Sequence, residues 1–223
     1  MNDISTLRPP AVPHRLLPFP MIRHFSKPVT PWLARTPMTA NHVTAASLAC
    51  GVLAAVAFSF GGYKSNIAGA VLLFVCYVLD NCDGEIARLK NQCSRFGMRF
   101  DSFTDWLVHA SFFVGLGFGI DAVKNENLWI WLGFAAAAGC TINYAIGFLD
   151  TDSGDGTLPP RQPEKASEWI VFAFRELSRA DFCFIVLVLT LADAIWVLLP
   201  AAAIGAQAYW ALQLIPSARR YHV

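Results

Sequence analysis

The stretch that decides the fold reads "VLDNCDGEIARLKNQCSRFGMRFDSFTDWLVHASFFVGLG", residues 78–117. It places four aspartates, Asp80, Asp83, Asp101 and Asp105, within or beside long apolar runs. Carboxylates are costly in apolar surroundings unless they are paired or bound to a cation. Four of them so close together in an apolar chain therefore indicate a site rather than a chance boundary.

The composition of the whole chain is that of a membrane protein. Of its 223 residues, 55% are hydrophobic and 15% are charged, whereas soluble domains carry about 45–50% apolar and about 25% charged residues. The formal net charge of +1 argues against a nucleic-acid partner, which would need a basic patch. The six cysteines are irregularly spaced without a Cys-x-x-Cys pair, so neither a disulfide framework nor a zinc site is expected.

Six apolar segments approach or reach the roughly 20 residues that a helix needs to cross a bilayer. They are residues 43–60, 67–86, 99–120, 128–149, 182–199 and 201–216. The predicted fold is therefore an all-α integral membrane protein with six transmembrane helices. Pro200 separates the last two segments, which predicts a tight hairpin there. Four glycines in the third and fourth segments are expected to allow close helix packing: Gly115, Gly117, Gly119 and Gly133.

The distribution of Lys and Arg predicts the orientation of these spans. With six spans, 15 of the 17 Lys and Arg residues fall on one side of the membrane, and cytoplasmic loops carry such an excess. Both termini and the loop between the second and third spans are then cytoplasmic, with all four aspartates at that surface. We expect a multi-pass protein of the plasma (inner) membrane.

Residues 1–40 are expected to form a cytoplasmic segment ahead of a membrane domain at residues 41–220. Within the first, residues 21–35 mix apolar, aromatic and basic side chains with two prolines. This pattern predicts an interfacial amphipathic helix, broken by the prolines, along the membrane surface.

A second surface helix is predicted over residues 163–181. Arg175 and Arg179 could bind an anionic acceptor there, although the excess of basic residues on the cytoplasmic side explains them equally well. Asp181, which follows closely on Arg179, is expected to be its ion-pair partner. Asp193 stands alone and is interpreted as a boundary residue at the outer end of the fifth span.

Helical periodicity places the four carboxylates on two stripes, since residues three, four and seven apart share a face. The second span presents carboxylates with small residues: Asp80, Asp83, Gly84 and Ala87. The third presents a matching set: Gly97, Asp101 and Asp105. His109 continues this second stripe and could touch the site, although a buried, hydrogen-bonded histidine is the simpler interpretation.

Facing carboxylates repel one another, and divalent cations relieve that repulsion. Mg²⁺ takes oxygen ligands, usually a few carboxylates together with substrate phosphates. A pair of such ions can stabilise both oxygens of a phosphoryl displacement. The basic residues of the joining loop could bind the remaining charge of a diphosphate. The pattern thus predicts a site for two divalent cations and a diphosphate.

Written with its spacing, the stretch is Asp80-x2-Asp83-Gly84-x2-Ala87-Arg88-x8-Gly97-x3-Asp101-x3-Asp105. It resembles the signature of the CDP-alcohol phosphatidyltransferases, the class I integral membrane family, at every fixed position. The segment "TPMTANHVT" is similar to the one that opens the family's first helix, although many members have proline where this chain has Ala40.

The resemblance implies attack by an alcohol hydroxyl on the β-phosphate of a CDP-linked alcohol, often CDP-diacylglycerol, with CMP leaving. It implies that Asp80, Asp83 and Asp101 bind two divalent cations, Mg²⁺ or Mn²⁺. It gives Asp105 two roles, as a further metal ligand and as the general base. It assigns the CDP-alcohol to Asn41, His42, Gly84, Ala87, Arg88, Ser94 and Gly97. The acceptor stays open among glycerol 3-phosphate, inositol or its phosphate, serine and choline, and a homodimer is expected because family members are frequently dimers.

Two other classes compete with this interpretation. An intramembrane prenyltransferase also uses aspartates and Mg²⁺ to bind a lipid diphosphate, but it generally needs more spans and gives Gly84 and Arg88 no role. A non-enzymatic cation carrier would place its carboxylates near the bilayer midplane in broken helices. Here they lie at one surface, and neither the second nor the third span contains proline.

Overall fold

The computed structural model describes residues 20–152 and 181–213. All regular structure in these ranges is helical, and the elements are α1 (Arg23–Ala34), α2 (Ala40–Ser59), α3 (Tyr63–Leu89), α4 (Arg95–Lys124), α5 (Leu128–Asp152), α6 (Phe182–Leu191), a short 3-10 turn (Ile195–Val197) and α7 (Leu198–Gln213). The predicted all-α class is confirmed. Of the second predicted surface helix, residues 163–181, only Asp181 lies within the described residues.

Four of these helices, α2 to α5, are long and apolar enough to cross a membrane, which supports a multi-pass integral membrane protein. The predicted segments 67–86, 99–120 and 128–149 fall inside α3, α4 and α5, and segment 43–60 lies in α2 except for its last residue. The apolar helices of the last two predicted segments, Phe182–Leu191 and Ile195–Ala211, are shorter. At 1.5 Å per residue, the 10 residues of α6 extend about 15 Å, roughly half of the hydrocarbon core.

The predicted hairpin at Pro200 is wrong in its position. The chain turns at residues 192–194, where Asp193 adopts a left-handed φ of 53° and Ala194 N–H donates to Leu189 O at 2.8 Å. This bond, five residues back, ends α6 in a Schellman motif. Pro200 instead lies in the first turn of α7, where a missing N–H costs no helical hydrogen bond.

The amphipathic helix expected at residues 21–35 is present as α1, but the prediction that its prolines break it is wrong. Pro28 and Pro31 lie inside a continuous helix of 12 residues. Both prolines are exposed, and the carbonyl groups that they leave without a helical donor belong to exposed residues, His24 and Lys27. Those carbonyls can be satisfied from outside the protein, so the helix continues.

Two carboxylates, one buried and one half-buried, attach α1 to the rest of the protein. Asp181, which is 0% exposed, accepts hydrogen bonds from the backbone N–H groups of Met21 at 2.8 Å and Ile22 at 2.9 Å. On the other side of α1, Glu85 of α3 accepts from hydroxyls of the helix, among them Thr30 at 2.6 Å. Asp181 therefore caps α1, while Arg179, its expected ion-pair partner, lies outside the described residues.

Helix α2 is the central helix of the site region. It packs along both α3 and α4, while α3 and α4 hardly contact one another. The predicted close packing at glycines is confirmed: a Cβ at Gly115 would overlap the backbone of Ala55, one at Gly119 would overlap Phe58, and Gly117 and Gly133 face each other between α4 and α5. The C-terminal end of α3 and the N-terminal end of α4 thus stand on either side of a cleft, and α2 packs along both helices.

Candidate active site

The cleft is bordered by the loop that joins α3 to α4. Asn91 turns the chain with a left-handed φ of 54°, and Ser94 then caps α4 by accepting from Gly97 N–H at 3.0 Å. Lys90 donates from Nζ to the carbonyls of Thr36 at 2.9 Å and Met38 at 2.7 Å. Lys90, one of the basic loop residues expected to bind substrate, therefore holds the connection between α1 and α2.

Three of the four aspartates converge across the cleft. Asp80, Asp83 and Asp101 each offer a carboxylate oxygen, and these oxygens lie within 4.8 Å of one another. Within residues 20–152 and 181–213, no other group of His, Cys, Asp and Glu side chains meets this geometry. Asp83 is buried at 4% exposure, while Asp80 and Asp101 are half-buried. The two stripes predicted from helical periodicity do face each other.

The cluster fits a hard divalent cation by its chemistry and its spacing. Its donors are carboxylate oxygens alone, which suit Mg²⁺ or Mn²⁺. Oxygens bound about 2.0–2.1 Å from one Mg²⁺ lie up to roughly 4 Å apart. The observed separation of up to 4.8 Å thus needs only small side-chain adjustments.

Asp105 stands at the margin of this group. It follows Asp101 by one helical turn, is exposed, and lies close enough for its charge to act on Asp80 and Asp101. It is not among the three carboxylates that converge. Its accessibility from outside the cleft distinguishes it from Asp83, which is buried.

A residue that the sequence analysis did not select orients Asp83. The hydroxyl of Thr44 on α2 donates to Asp83 Oδ2 at 2.5 Å, and Ala40 O lies 3.2 Å from the same hydroxyl. Thr44 is 3% exposed, so this hydrogen bond is shielded from water. Its signal in the sequence is a hydroxyl residue one turn into a mainly apolar span.

The residues expected to line the CDP-alcohol fall into two groups. At the start of α2, Asn41 approaches the start of α4, because a Cβ on Gly97 would lie 3.5 Å from Asn41 Oδ1 and 3.2 Å from Ser94 Oγ. On α3, Arg88 folds back over Gly84, where a Cβ would lie 3.5 Å from a guanidinium nitrogen. Ala87 is half-buried and packs against the core. Both groups flank the cluster of carboxylates.

The start of α2 explains two further positions. Thr39 caps the helix in a capping box, in which His42 Nδ1 accepts from Thr39 N–H at 3.3 Å, so His42 has a structural partner there. Ala40, where many family members have proline, donates its N–H to Gln92 Oε1 at 2.9 Å. Proline has no N–H and could not make this bond to the loop. Arg175 and Arg179, the candidate acceptor residues, lie outside the described residues.

Comparison with known proteins points in the same direction as this geometry. The family model described as CDP-alcohol phosphatidyltransferase matches residues 37–189. The CDP-diacylglycerol–serine O-phosphatidyltransferase of Helicobacter pylori is 35% identical over 100 residues, 42% of this chain and 41% of that protein. The bifunctional IPC transferase and DIPP synthase of Aquifex aeolicus is 29% identical over 117 residues, 52% of this chain and 26% of that protein. The chain thus spans less than half the length of these relatives.

The fold is shared with a synthase of known structure. The phosphatidylinositol phosphate synthase of Mycobacterium tuberculosis, with CDP-DAG bound, matches with a TM-score of 0.56 at 22% identity, over 83% of this chain and 91% of that chain. Its apo form matches with a TM-score of 0.57 at 23% identity, over 86% and 97% of the two chains. At this identity the likeness concerns the fold, whereas the family model covers more than half of the sequence. This chain belongs to the CDP-alcohol phosphatidyltransferase family.

Proposed function

We propose that the protein transfers a phosphatidyl, or other substituted phosphoryl, group from a CDP-alcohol to the hydroxyl of a small polar alcohol, with release of CMP. The observation that carries the proposal is the convergence of Asp80, Asp83 and Asp101 within 4.8 Å across the α3–α4 cleft, at the fixed positions of the family signature. CDP-diacylglycerol is the proposed donor, since the names of one relative and of one solved neighbour both refer to it.

In this proposal Asp80, Asp83 and Asp101 hold two divalent cations, Mg²⁺ or Mn²⁺, with Asp105 as a further ligand. Bound cations would neutralise charge on the diphosphate and on the departing CMP. Asp105 would also accept the proton of the acceptor hydroxyl. Its exposure beside the cluster supports this second role, because an incoming alcohol can reach it without displacing the three convergent carboxylates.

The residues that flank the carboxylate cluster would bind and orient the nucleotide. Asn41, Ser94 and Gly97 border one side of the cluster, where the absence of a side chain at Gly97 leaves room between the two polar groups. Arg88, whose guanidinium lies over Gly84, would move onto the phosphates. Thr44 would keep Asp83 in its ligating orientation through their hydrogen bond.

The acceptor is the least constrained part of the proposal. The relatives differ here, since one is named for serine and one solved neighbour for phosphatidylinositol phosphate. What they share is the CDP-linked donor chemistry. We propose a small polar alcohol, with Arg175 and Arg179 as candidate partners for an anionic group on it.

We further propose that all six apolar segments, including those of the shorter helices α6 and α7, lie in the plasma (inner) membrane, with the site and both termini on the cytoplasmic side. The excess of Lys and Arg on that side supports this orientation. Helix α1 would lie on the membrane surface at the same end, since it contacts Glu85, two residues from Asp83. A homodimer is part of the proposal as well, and the molar mass of the purified protein in detergent would test it.

The test is CMP release by purified protein from CDP-diacylglycerol, with a panel of alcohols and either Mg²⁺ or Mn²⁺. Replacement of Asp105 by asparagine should abolish transfer while CDP-lipid binding is largely retained, because the carboxylate that accepts the proton is lost. Asp121→Asn, at the opposite end of α4, is the matched control and should keep its activity. Turnover near the wild-type rate in Asp105→Asn would refute the assignment.

A binding experiment separates the alternatives. CDP or CMP with Mn²⁺ should raise the thermal midpoint of the purified protein. A prenyl diphosphate should raise it less, because it lacks the nucleotide that the Asn41 and Arg88 regions would bind. Stabilisation by the prenyl compound alone would favour a prenyltransferase, and metal binding without any CMP release would favour a carrier.

A further inference from the structure

The two helices that carry the carboxylates are held apart rather than packed together. Each lies along α2, and α3 and α4 hardly contact one another. The distance between the carboxylates of α3 and those of α4 therefore depends on α2 and on side chains that bridge the cleft. A site for divalent cations tolerates errors of only about 0.5 Å in the positions of its ligands, so any such bridge matters.

One bridge lies directly beneath the carboxylates. Tyr77 precedes Asp80 by three residues and His109 follows Asp105 by four, so both continue the two acidic stripes by one turn, about 5.4 Å deeper. The Tyr77 hydroxyl and His109 Nε2 are 2.8 Å apart and join α3 to α4. Tyr77 is 8% exposed, so this bond is largely protected from solvent.

The second nitrogen of the imidazole determines the tautomer of His109 and therefore the direction of the hydrogen bond with Tyr77. His109 Nδ1 lies 2.7 Å from the backbone carbonyl of Asp105. A carbonyl can only accept, so in a neutral imidazole Nδ1 carries the hydrogen and Nε2 accepts from the tyrosine hydroxyl. The ring of Phe182 packs against the imidazole with centroids 5.8 Å apart. His109 is thus oriented by α4 itself, by α3 and by the start of α6.

We propose that the Tyr77–His109 hydrogen bond is a brace that sets the spacing between the carboxylates of α3 and α4. Tyr77 and His109 are then positioning residues for the proposed metal site, and this inference rests on the proposed function. When no cation is bound, the facing carboxylates repel one another and push the two helices apart. The brace opposes that separation one turn below, and so keeps the ligands near the arrangement that binds metal.

The experiment measures Mn²⁺ affinity in the purified protein at saturating CDP, by electron paramagnetic resonance of the free ion. Tyr77→Phe removes only the hydroxyl, and we expect the Kd for Mn²⁺ to rise about tenfold, within the range for residues that orient metal ligands. His109→Phe should give a similar rise. The double variant should be no weaker than the single ones, since both remove the same bond.

The matched control is Tyr63→Phe, in the first turn of the same helix, whose hydroxyl makes an exposed 3.4 Å contact with Leu191 O. It should leave the Kd unchanged.

In turnover assays the brace variants should need more Mn²⁺ for half-maximal rate and reach a kcat within about twofold of wild type at saturation. His109→Gln, which keeps a polar side chain, is the substitute if the phenylalanine variant does not fold.

The outcomes are distinct. A brace variant with a lower thermal midpoint but an unchanged Kd for Mn²⁺ would overturn the proposal, because the pair would then serve stability alone. Additive losses in the double variant would overturn it too, since the two residues would act separately. Failure of the wild-type protein to bind Mn²⁺ would instead count against the metal site and so against the proposed function.

Discussion

Replacement of Thr44 by valine is the sharpest probe of how the cluster is organised. The change removes one hydroxyl and keeps the branched shape of the side chain. That hydroxyl donates to Asp83 Oδ2 at 2.5 Å, and both residues are buried, at 3% and 4% exposure. Water cannot readily replace the lost donor, so Asp83 would lose the contact that fixes its orientation.

The expected size of the effect follows from the type of bond. A hydrogen bond to a charged group contributes about 1.5–3 kcal/mol. Since about 1.4 kcal/mol corresponds to a tenfold change in affinity, the Kd for Mn²⁺ should rise by roughly 10- to 100-fold. This range agrees with that for residues that orient metal ligands in other proteins.

The assay is calorimetric titration of Mn²⁺ into purified protein at saturating CDP. Thr44→Ser keeps the hydroxyl and should stay within a few-fold of wild type. Ser47→Ala is the matched control, because it also removes a buried hydroxyl from the same face of α2. The Ser47 hydroxyl donates to Cys76 O at 3.0 Å and not to a carboxylate. A Thr44→Val protein that binds Mn²⁺ within twofold of wild type would refute the orienting role.

Three further substitutions test the packing around the site. Asp181→Ala should lower the thermal midpoint in detergent by several degrees, because it leaves buried N–H groups at the start of α1 without an acceptor; Asp193→Asn, at an exposed left-handed position, should not. Gly115→Ala should lower the yield of folded protein, because the added methyl group would overlap with α2. Gly205→Ala is its control and should be neutral, because the space around Gly205 is open. Equal yields of the two variants would contradict the close packing. Lys90→Met should speed amide hydrogen exchange in residues 35–39, because the lysine bonds to two carbonyls there. Hydrogen–deuterium exchange mass spectrometry can measure this. Unchanged exchange would mean that Lys90 does not hold the connection between α1 and α2.

The sequence alone predicted what depends on local periodicity. Spans and stripes follow from the 3.6-residue repeat of a helix, so the apolar segments of α2 to α5 and the shared faces of Asp80, Asp83 and Asp101 could be inferred from residue spacing. The link between Thr44 and Asp83 could not, because it joins residues 39 positions apart through the way α2 packs on α3. Such contacts depend on tertiary packing that one sequence does not encode in a readable pattern.

The prolines illustrate a different limit. Pro28, Pro31 and Pro200 all read as interruptions of a helix, yet each lies within one. Whether proline ends a helix depends on whether the carbonyl that it frees can find another partner, and on its distance from the helix start. The first condition depends on how exposed that carbonyl is, and the second on where the helix begins. For Pro200, α7 begins soon after the left-handed turn at Asp193 that ends α6.

The cap on α1 has a consequence for how the protein is made. The carboxylates, Thr44 and the Tyr77–His109 pair all lie within residues 40–109, so these contacts can form as soon as α4 has entered the membrane. Helix α1 is synthesised before α2, but the chain at its amino end is hydrogen-bonded to Asp181, 160 residues later than Met21. We therefore expect α1 to complete its docking only after the site that it adjoins is already assembled.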